Sequence, residues 1–142
     1  MKNPLHILLV DDDEIANHLH KLLIEDLKIA DQIDVASDGE EAFELIRRKY
    51  DLTDNNRDIL ILMDINMPGM DAFEFLEVFK SHYSKSFTNL HIALLSSSLN
   101  WKDQEKAKKF DIDEYLSKPL TQEKLHALIE MINKKNQYSK YP

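Results

Sequence analysis

Acids, hydroxyls and one lysine stand along this chain where they could act together. Asp11-Asp12-Asp13 follows the apolar run Leu5–Val10, and Asp64 follows Ile59–Met63. Ser96-Ser97-Ser98 follows Leu90–Leu95, and Lys118-Pro119 comes shortly after Tyr115-Leu116. Each alone has a plain structural reading. An Asp after a strand is more often a helix N-cap than a ligand, and Asp13 followed by Glu14 suits a helix N-terminus. A Ser there is usually a turn or cap residue, and a Lys before a Pro is usually just exposed. Together, however, the charges balance. Carboxylates brought close repel and resist desolvation. One divalent cation and one ammonium would offset three of them. Oxygen-only ligands suit a hard cation such as Mg2+, which keeps waters and takes few protein oxygens. A cation held by two of the acids would bring a phosphoryl donor to the third. Phosphoryl transfer needs positioning and charge neutralisation more than covalent help. Asp64 would then be the nucleophile, as carboxylates are in aspartyl-phosphate chemistry.

These residues need elements that carry them to one rim. The runs Leu5–Val10, Ile33–Ala36, Ile59–Met63, Leu90–Leu95 and Tyr115-Leu116 suit buried parallel strands covered on both faces. Helical patterns lie between them. Ile15, Leu19, Leu22, Leu23 and Leu27 repeat after Asp13-Glu14; Ala42, Phe43, Leu45 and Ile46 follow Ser37-Asp38-Gly39. Phe73, Leu76 and Phe79 follow Pro68-Gly69; Leu125, Leu128, Ile129 and Ile132 follow a capped start at Thr121. The segment Trp101–Phe110 has only Trp101, Ala107 and Phe110 as apolar anchors and predicts a poorly buried helix. The order predicts an α/β fold: a five-stranded parallel sheet with helices on both faces, doubly wound in the (βα)5 flavodoxin-like manner. Ligands in that architecture sit at the carboxyl ends of the strands, near the switch in strand order. The acids, serines and lysine all fall there.

The chain has 142 residues, with 18 Lys and Arg against 26 Asp and Glu, for a formal net charge of −8. Its length suits one domain, read as 1–142 with a core over about 5–133 and a polar tail, 134–142, expected to be disordered. The polar stretches 50–57 and 81–89 are expected to be surface loops or frayed helix ends. The acidic balance argues against direct nucleic-acid binding, which draws on a basic surface. The absence of cysteine removes disulfides, thiolate zinc sites and cysteine nucleophiles. No stretch approaches the roughly 20 apolar residues of a membrane helix, and the opening apolar run is shorter than a signal peptide needs, so none is expected. A cytoplasmic protein without membrane attachment is expected. His18 and His20 point to different sides of a helix and make a poor metal pair. All six histidines are read as structural or solvent-facing.

Five segments resemble the receiver domain of two-component response regulators, of the chemotaxis type. They are ILLVDDDE at 7–14, ASDGEEA at 36–42, LMDINMPGMD at 62–71, ALLSSS at 93–98 and YLSKP at 115–119. The MDxxMPGMD string is highly specific. The resemblance implies that Asp64 is the phosphoacceptor. It implies that Mg2+ is held by Asp11 and Asp12, with Asp64 and the backbone carbonyl of Asn66 as further contacts. Asp13 could replace Asp12 only through a one-residue shift, and the resemblance favours Asp11 and Asp12. Lys118 resembles the lysine that pairs with the acids and then with the phosphoryl group. Ser96 takes the switch hydroxyl position and Tyr115 the switch aromatic. The Lys118-Pro119 bond is expected to be cis. Ala72 and Asp111 stand where glycine is common, and Ser96 replaces the commoner threonine; Ala72 is expected to stiffen its loop.

The resemblance further implies a signalling phosphoacceptor rather than a classical enzyme, one that catalyses its own phosphorylation and dephosphorylation. The donor would be a sensor histidine kinase or a phosphotransfer protein. No output domain follows in this chain, so a stand-alone regulator or a phosphorelay carrier is expected. On phosphorylation Ser96, expected to be the nearest uncommitted donor, would move to the phosphoryl group and Tyr115 would turn inward. The surface of 101–110, 113–116 and the last helix would change, and a downstream protein or a second copy would bind there. An alternative is a Mg2+-dependent phosphohydrolase of haloacid dehalogenase type. That chemistry needs a second Asp two residues after the nucleophile, where this chain has Asn66. A degenerate receiver that binds partners without phosphorylation is a third reading, weakened because every reactive group is present.

Overall fold

The computed structural model describes residues 4–54, 56–83, 87–98 and 100–139, with side chains through Lys135. The elements in chain order are β1 (Leu5–Val10), α1 (Glu14–Leu27), β2 (Gln32–Ala36), α2 (Gly39–Lys49) and β3 (Asp58–Asp64). There follow α3 (Ala72–His82), β4 (Leu90–Ser96), α4 (Trp101–Ala107), β5 (Glu114–Ser117) and α5 (Gln122–Ser139). The strands pair in parallel in the order β2-β1-β3-β4-β5. Strand order reverses between β1 and β3, which opens a crevice at their carboxyl ends.

Every residue of β1 and β3 is buried, as continuous apolar strands covered on both faces must be. Alternate residues feed two cores. Leu8, Val10, Ile61, Met63 and Leu94 pack with Ala42 and Ile46 of α2 and with Phe75 of α3. Ile7, Leu9, Leu60, Leu62 and Leu95 pack with Ile24 of α1 and with Leu125 and Leu128 of α5. Helices α1 to α4 each begin at an Asp or Asn cap: Asp13, Asp38, Asp71 and Asn100 accept backbone N–H bonds in the first turn. Such caps are worth about 1 kcal/mol each.

Several sequence expectations change here. The apolar repeat of α1 is two stripes. Ile24 is buried, whereas Ile15, Leu19 and Leu22 are 71%, 57% and 49% exposed. Helical spacing identifies a stripe but not which stripe faces inward; buried Asn17, seven residues before Ile24, sets the rotation. Helix α5 continues to Ser139 through the stretch expected to be disordered, and Lys135 is anchored there by Asp113 at 3.0 Å. Residues 140–142 of that tail lie outside the described residues, as do 55 and 84–86 of the two expected loops. In the first of those loops Leu52 is a core residue. Ala72 is the first residue of α3 and wholly buried, so it packs the core rather than stiffening a loop. Asp111 carries no left-handed backbone, since Lys28 is the one described non-glycine residue with positive φ. Helix α4 has seven residues and buries only Ala107, in keeping with its thin apolar pattern. Among the described residues no helix is long and apolar enough to cross a membrane.

Candidate functional site at the carboxyl ends of the strands

Asp11 is the first residue past β1, and β3 ends on Asp64. Val10 pairs with Met63 in the ladder, so the two carboxylates emerge side by side at the crevice. Asp11, Asp12 and Asp64 each offer an oxygen, all within 4.8 Å of one another. Asp11 and Asp64 are buried and Asp12 is exposed. Asp13 is engaged elsewhere: its Oδ1 accepts the N–H of Ile15 at 2.9 Å and of Ala16 at 3.4 Å. The acids facing Asp64 are therefore Asp11 and Asp12.

Lys118 bridges the cluster. Its Nζ donates to Asp11 Oδ2 at 2.9 Å and lies 3.3 Å from Asp64 Oδ1. Burial raises the pKa of Asp64 and the charge of Asp11 adds to this, against Lys118 and a backbone hydrogen bond from Asn66. Burial alone would lower the pKa of Lys118, but its bonds to the two carboxylates outweigh that and raise it. With all groups ionised the cluster keeps an excess of negative charge after Lys118 is counted. An all-oxygen donor set at these separations, with that excess, fits Mg2+.

Neighbouring elements hold the rim in place. Asn17 Nδ2 donates to the carbonyls of Asp11 at 2.9 Å and Ala36 at 3.3 Å, tying the end of β1 to the end of β2. Sequence reasoning missed Asn17; its one signal was an amide on the inward stripe of α1. After β3, Ile65 N–H bonds to the Leu95 carbonyl at 2.9 Å, and Ala72 N–H closes the loop onto Ile65 at 3.3 Å. Gly69 turns that loop with φ 76°. A Cβ at Gly39 would meet Met70 Cγ at 2.9 Å, so glycine lets the start of α2 touch the loop. Asn66 is exposed on it.

Ser96 ends β4, buried, and is already committed: its hydroxyl donates to the Ser98 carbonyl at 2.5 Å and accepts the Ser98 N–H at 3.2 Å. The expectation of an unengaged hydroxyl is corrected by this local turn, an arrangement that serine favours after a strand. Tyr115 is half-buried against the core, and its hydroxyl is buried with no hydrogen-bond partner among the described residues. The Lys118-Pro119 bond is cis. His20, read as merely structural, is near enough to feel the site. Burial chiefly lowers its pKa, Asp11 opposes this, and Lys118 adds to it.

Residues 7–130 match the response regulator receiver domain. The chain belongs to the response regulator receiver domain family. It is similar to hybrid signal transduction histidine kinase B of Dictyostelium discoideum, 34% identical over 111 residues, 71% of this chain and 5% of that protein. It is also similar to the two-component response regulator PhoP of Pseudomonas aeruginosa, 26% identical over 90% of this chain and 51% of that protein. The chain thus spans 5% to 51% of the length of the curated relatives it matches. Among solved structures, a two component response regulator from Cytophaga hutchinsonii superposes with a TM-score of 0.81 at 33% identity, over 94% of this chain and 99% of that one. Receiver domains are signalling phosphoacceptors of two-component systems. The phosphohydrolase alternative finds no support: the match is to receivers, and Asn66 cannot act as that chemistry's second acid.

Proposed function

We propose that this receiver takes a phosphoryl group onto Asp64 from a phosphohistidine, on a sensor histidine kinase or a phosphotransfer protein, and returns it to water. The observation that carries the reading is the cluster of Asp11, Asp12 and Asp64 within 4.8 Å, bridged by Lys118. An Asp64 oxygen attacks phosphorus, the phosphorus–nitrogen bond to the donor imidazole breaks, and an acyl phosphate forms; the donor ring, protonated on its other nitrogen, takes the bonding pair and leaves as neutral imidazole. Lys118, already beside Asp64, follows the charge onto the phosphoryl oxygens. Asp11, Asp12, Asp64 and the Asn66 carbonyl would hold Mg2+, which when bound neutralises charge on the phosphoryl oxygens. The chain's own residues thereby promote both phosphorylation and hydrolysis. A cytoplasmic location goes with this reading.

The donor must reach the crevice past α1. The exposed stripe of Ile15, Leu19 and Leu22 starts beside the Asp13 cap and suits an apolar partner surface. For output, Ser96 gives up its bond to Ser98 for the phosphoryl group, and Tyr115, whose buried hydroxyl has no partner among the described residues, shifts into the space that Ser96 vacates. The surface of α4, β5 and α5 then meets a downstream protein or a second copy. The test is mass spectrometry after acetyl phosphate treatment with Mg2+. One added phosphate, sensitive to hydroxylamine and absent from Asp64→Asn, is expected; labelling that survives the substitution overturns the assignment.

A further inference from the structure

Lys118 works from the short connection between β5 and α5, and a second lysine grips that connection. Lys124 is the third residue of α5. Its own N–H bonds to Thr121 Oγ1 at 3.2 Å, which fixes the root of its side chain in the first turn. From there the ammonium folds back over the connection. It donates to the Ser117 carbonyl at 2.6 Å, the Ser117 hydroxyl at 3.0 Å and the Pro119 carbonyl at 3.0 Å. All three donors of an ammonium are used. Ser117 and Pro119 are the two chain neighbours of Lys118, and the Lys118 N–H itself bonds to the Ser96 carbonyl at 2.7 Å. The backbone around Lys118 is therefore held by α5 on both sides and by β4 in the middle.

Helix stability does not explain a lysine there. A cation in the first turn faces the positive end of the helix dipole and is unfavourable. What Lys124 supplies is a fixed origin for the Lys118 side chain. Four rotatable bonds lie between the Lys118 backbone and its ammonium, so an error at the root is carried to the tip, where it must meet both Asp11 and Asp64. Reactions of this kind are steep in such placement.

We propose that Lys124 is a positioning residue for Lys118, stapling the β5–α5 connection so that the Lys118 ammonium is delivered to Asp64. The inference rests on the phosphoacceptor reading of Asp64. The test uses the full chain with acetyl phosphate, and Lys124→Met, which keeps the stem and loses the donors. At saturating Mg2+ the initial rate of Asp64 phosphorylation should fall about tenfold, with Mg2+ affinity held within about twofold. Carbon-13 relaxation at Lys118 Cε should show a more mobile side chain, and Lys124→Arg should restore much of both. Lys124→Gln serves as a second variant should Lys124→Met fail to fold. A wild-type rate in the variant, or a slow rate with Lys118 Cε unchanged, overturns the positioning role while leaving the phosphoacceptor reading standing. A wild-type protein that takes no phosphoryl group overturns both.

Discussion

Asp64 carries a charge that its surroundings resist. Burial and the neighbouring Asp11 raise its pKa more than Lys118 lowers it. A carboxyl whose folded pKa lies above its unfolded one favours folding in the protonated state. That contribution is complete below the unfolded value and is lost as pH rises through the raised folded value. At pH 7 the ionised Asp64 therefore costs stability, and Asp64→Asn, of the same shape without the charge, should raise the Tm by roughly a few degrees in metal-free buffer. Thermal denaturation with EDTA checks this; a lower Tm would show that the pairing with Lys118 outweighs burial. Asp12 and Asp13 make a second contrast. Asp12 faces Asp64, while Asp13 caps α1. Asp12→Ala should weaken Mg2+ binding in calorimetry more than Asp13→Ala, which should instead cost about 1 kcal/mol of stability. Equal Mg2+ affinities would mean that the wrong acid is assigned. That Asp11, Asp64, Ser96 and Lys118 stand at one rim was readable because each lies at or just past the end of a recognisable strand. Asn17, Lys124 and the engaged Ser96 hydroxyl were not, because each donates mainly to backbone carbonyls, which leave no mark on residue type.

At the scale of elements, periodicity located all five strands and five helices, since a doubly wound sheet leaves little choice once buried runs alternate with helical ones. It failed where amphipathicity was ambiguous. Both stripes of α1 are apolar, and only the amide of Asn17 reaching two carbonyls decides which one turns in. It failed again at the end of α5, where a polar sequence stays helical as the extension of packed turns and Lys135 finds Asp113. The same reading makes α4 the least secured helix: seven residues with Ala107 alone buried. Segments with few buried contacts open and shift at the least cost. Beryllofluoride with Mg2+, a mimic of the phosphoryl group, should therefore change amide exchange mainly over 96–118. Ser96→Ala should abolish the change while still binding the mimic. A response confined to α1 would place the output on another face.

Across the whole molecule the two ends of the sheet hold opposite electrostatic designs. The carboxyl ends carry three clustered acids against one lysine; the amino ends set carboxylates around a buried histidine. His91, in β4, is fully buried. Its Nε2 lies 3.2 Å from Asp58 Oδ1 at the start of β3, and its Nδ1 lies 3.6 Å from Asp113 Oδ1, just before β5. Asp113 also accepts the Ile92 N–H at 2.7 Å and the Lys135 ammonium of α5 at 3.0 Å. Strands β3 and β4 and the residue leading into β5 thus meet on one imidazole, with α5 joined through Asp113. Burial alone would lower its pKa, but the carboxylates of Asp113 and Asp58 outweigh that and raise it. Protonated His91 therefore stabilises the fold; the contribution is complete below the ordinary histidine value near 6.5 and is lost as pH rises through the raised folded value. His6 and His20 have the opposite sign, because burial lowers both; they weaken the fold only on the acid side. The lowered pKa of Asp113 likewise matters only in strong acid. Among the histidines the alkaline limb is thus assigned to His91, and an Asp64→Asn background removes the one carboxyl of the same sign. In that background the Tm should fall as pH rises above about 6.5, and adding His91→Gln should lower the starting Tm but remove the fall. Nitrogen-15 NMR of the imidazole should place its titration above 6.5. A titration below that value, or an alkaline fall that persists when His91→Gln is added, would show that the two aspartates fail to hold the charge and that the sheet's amino end is secured by packing alone.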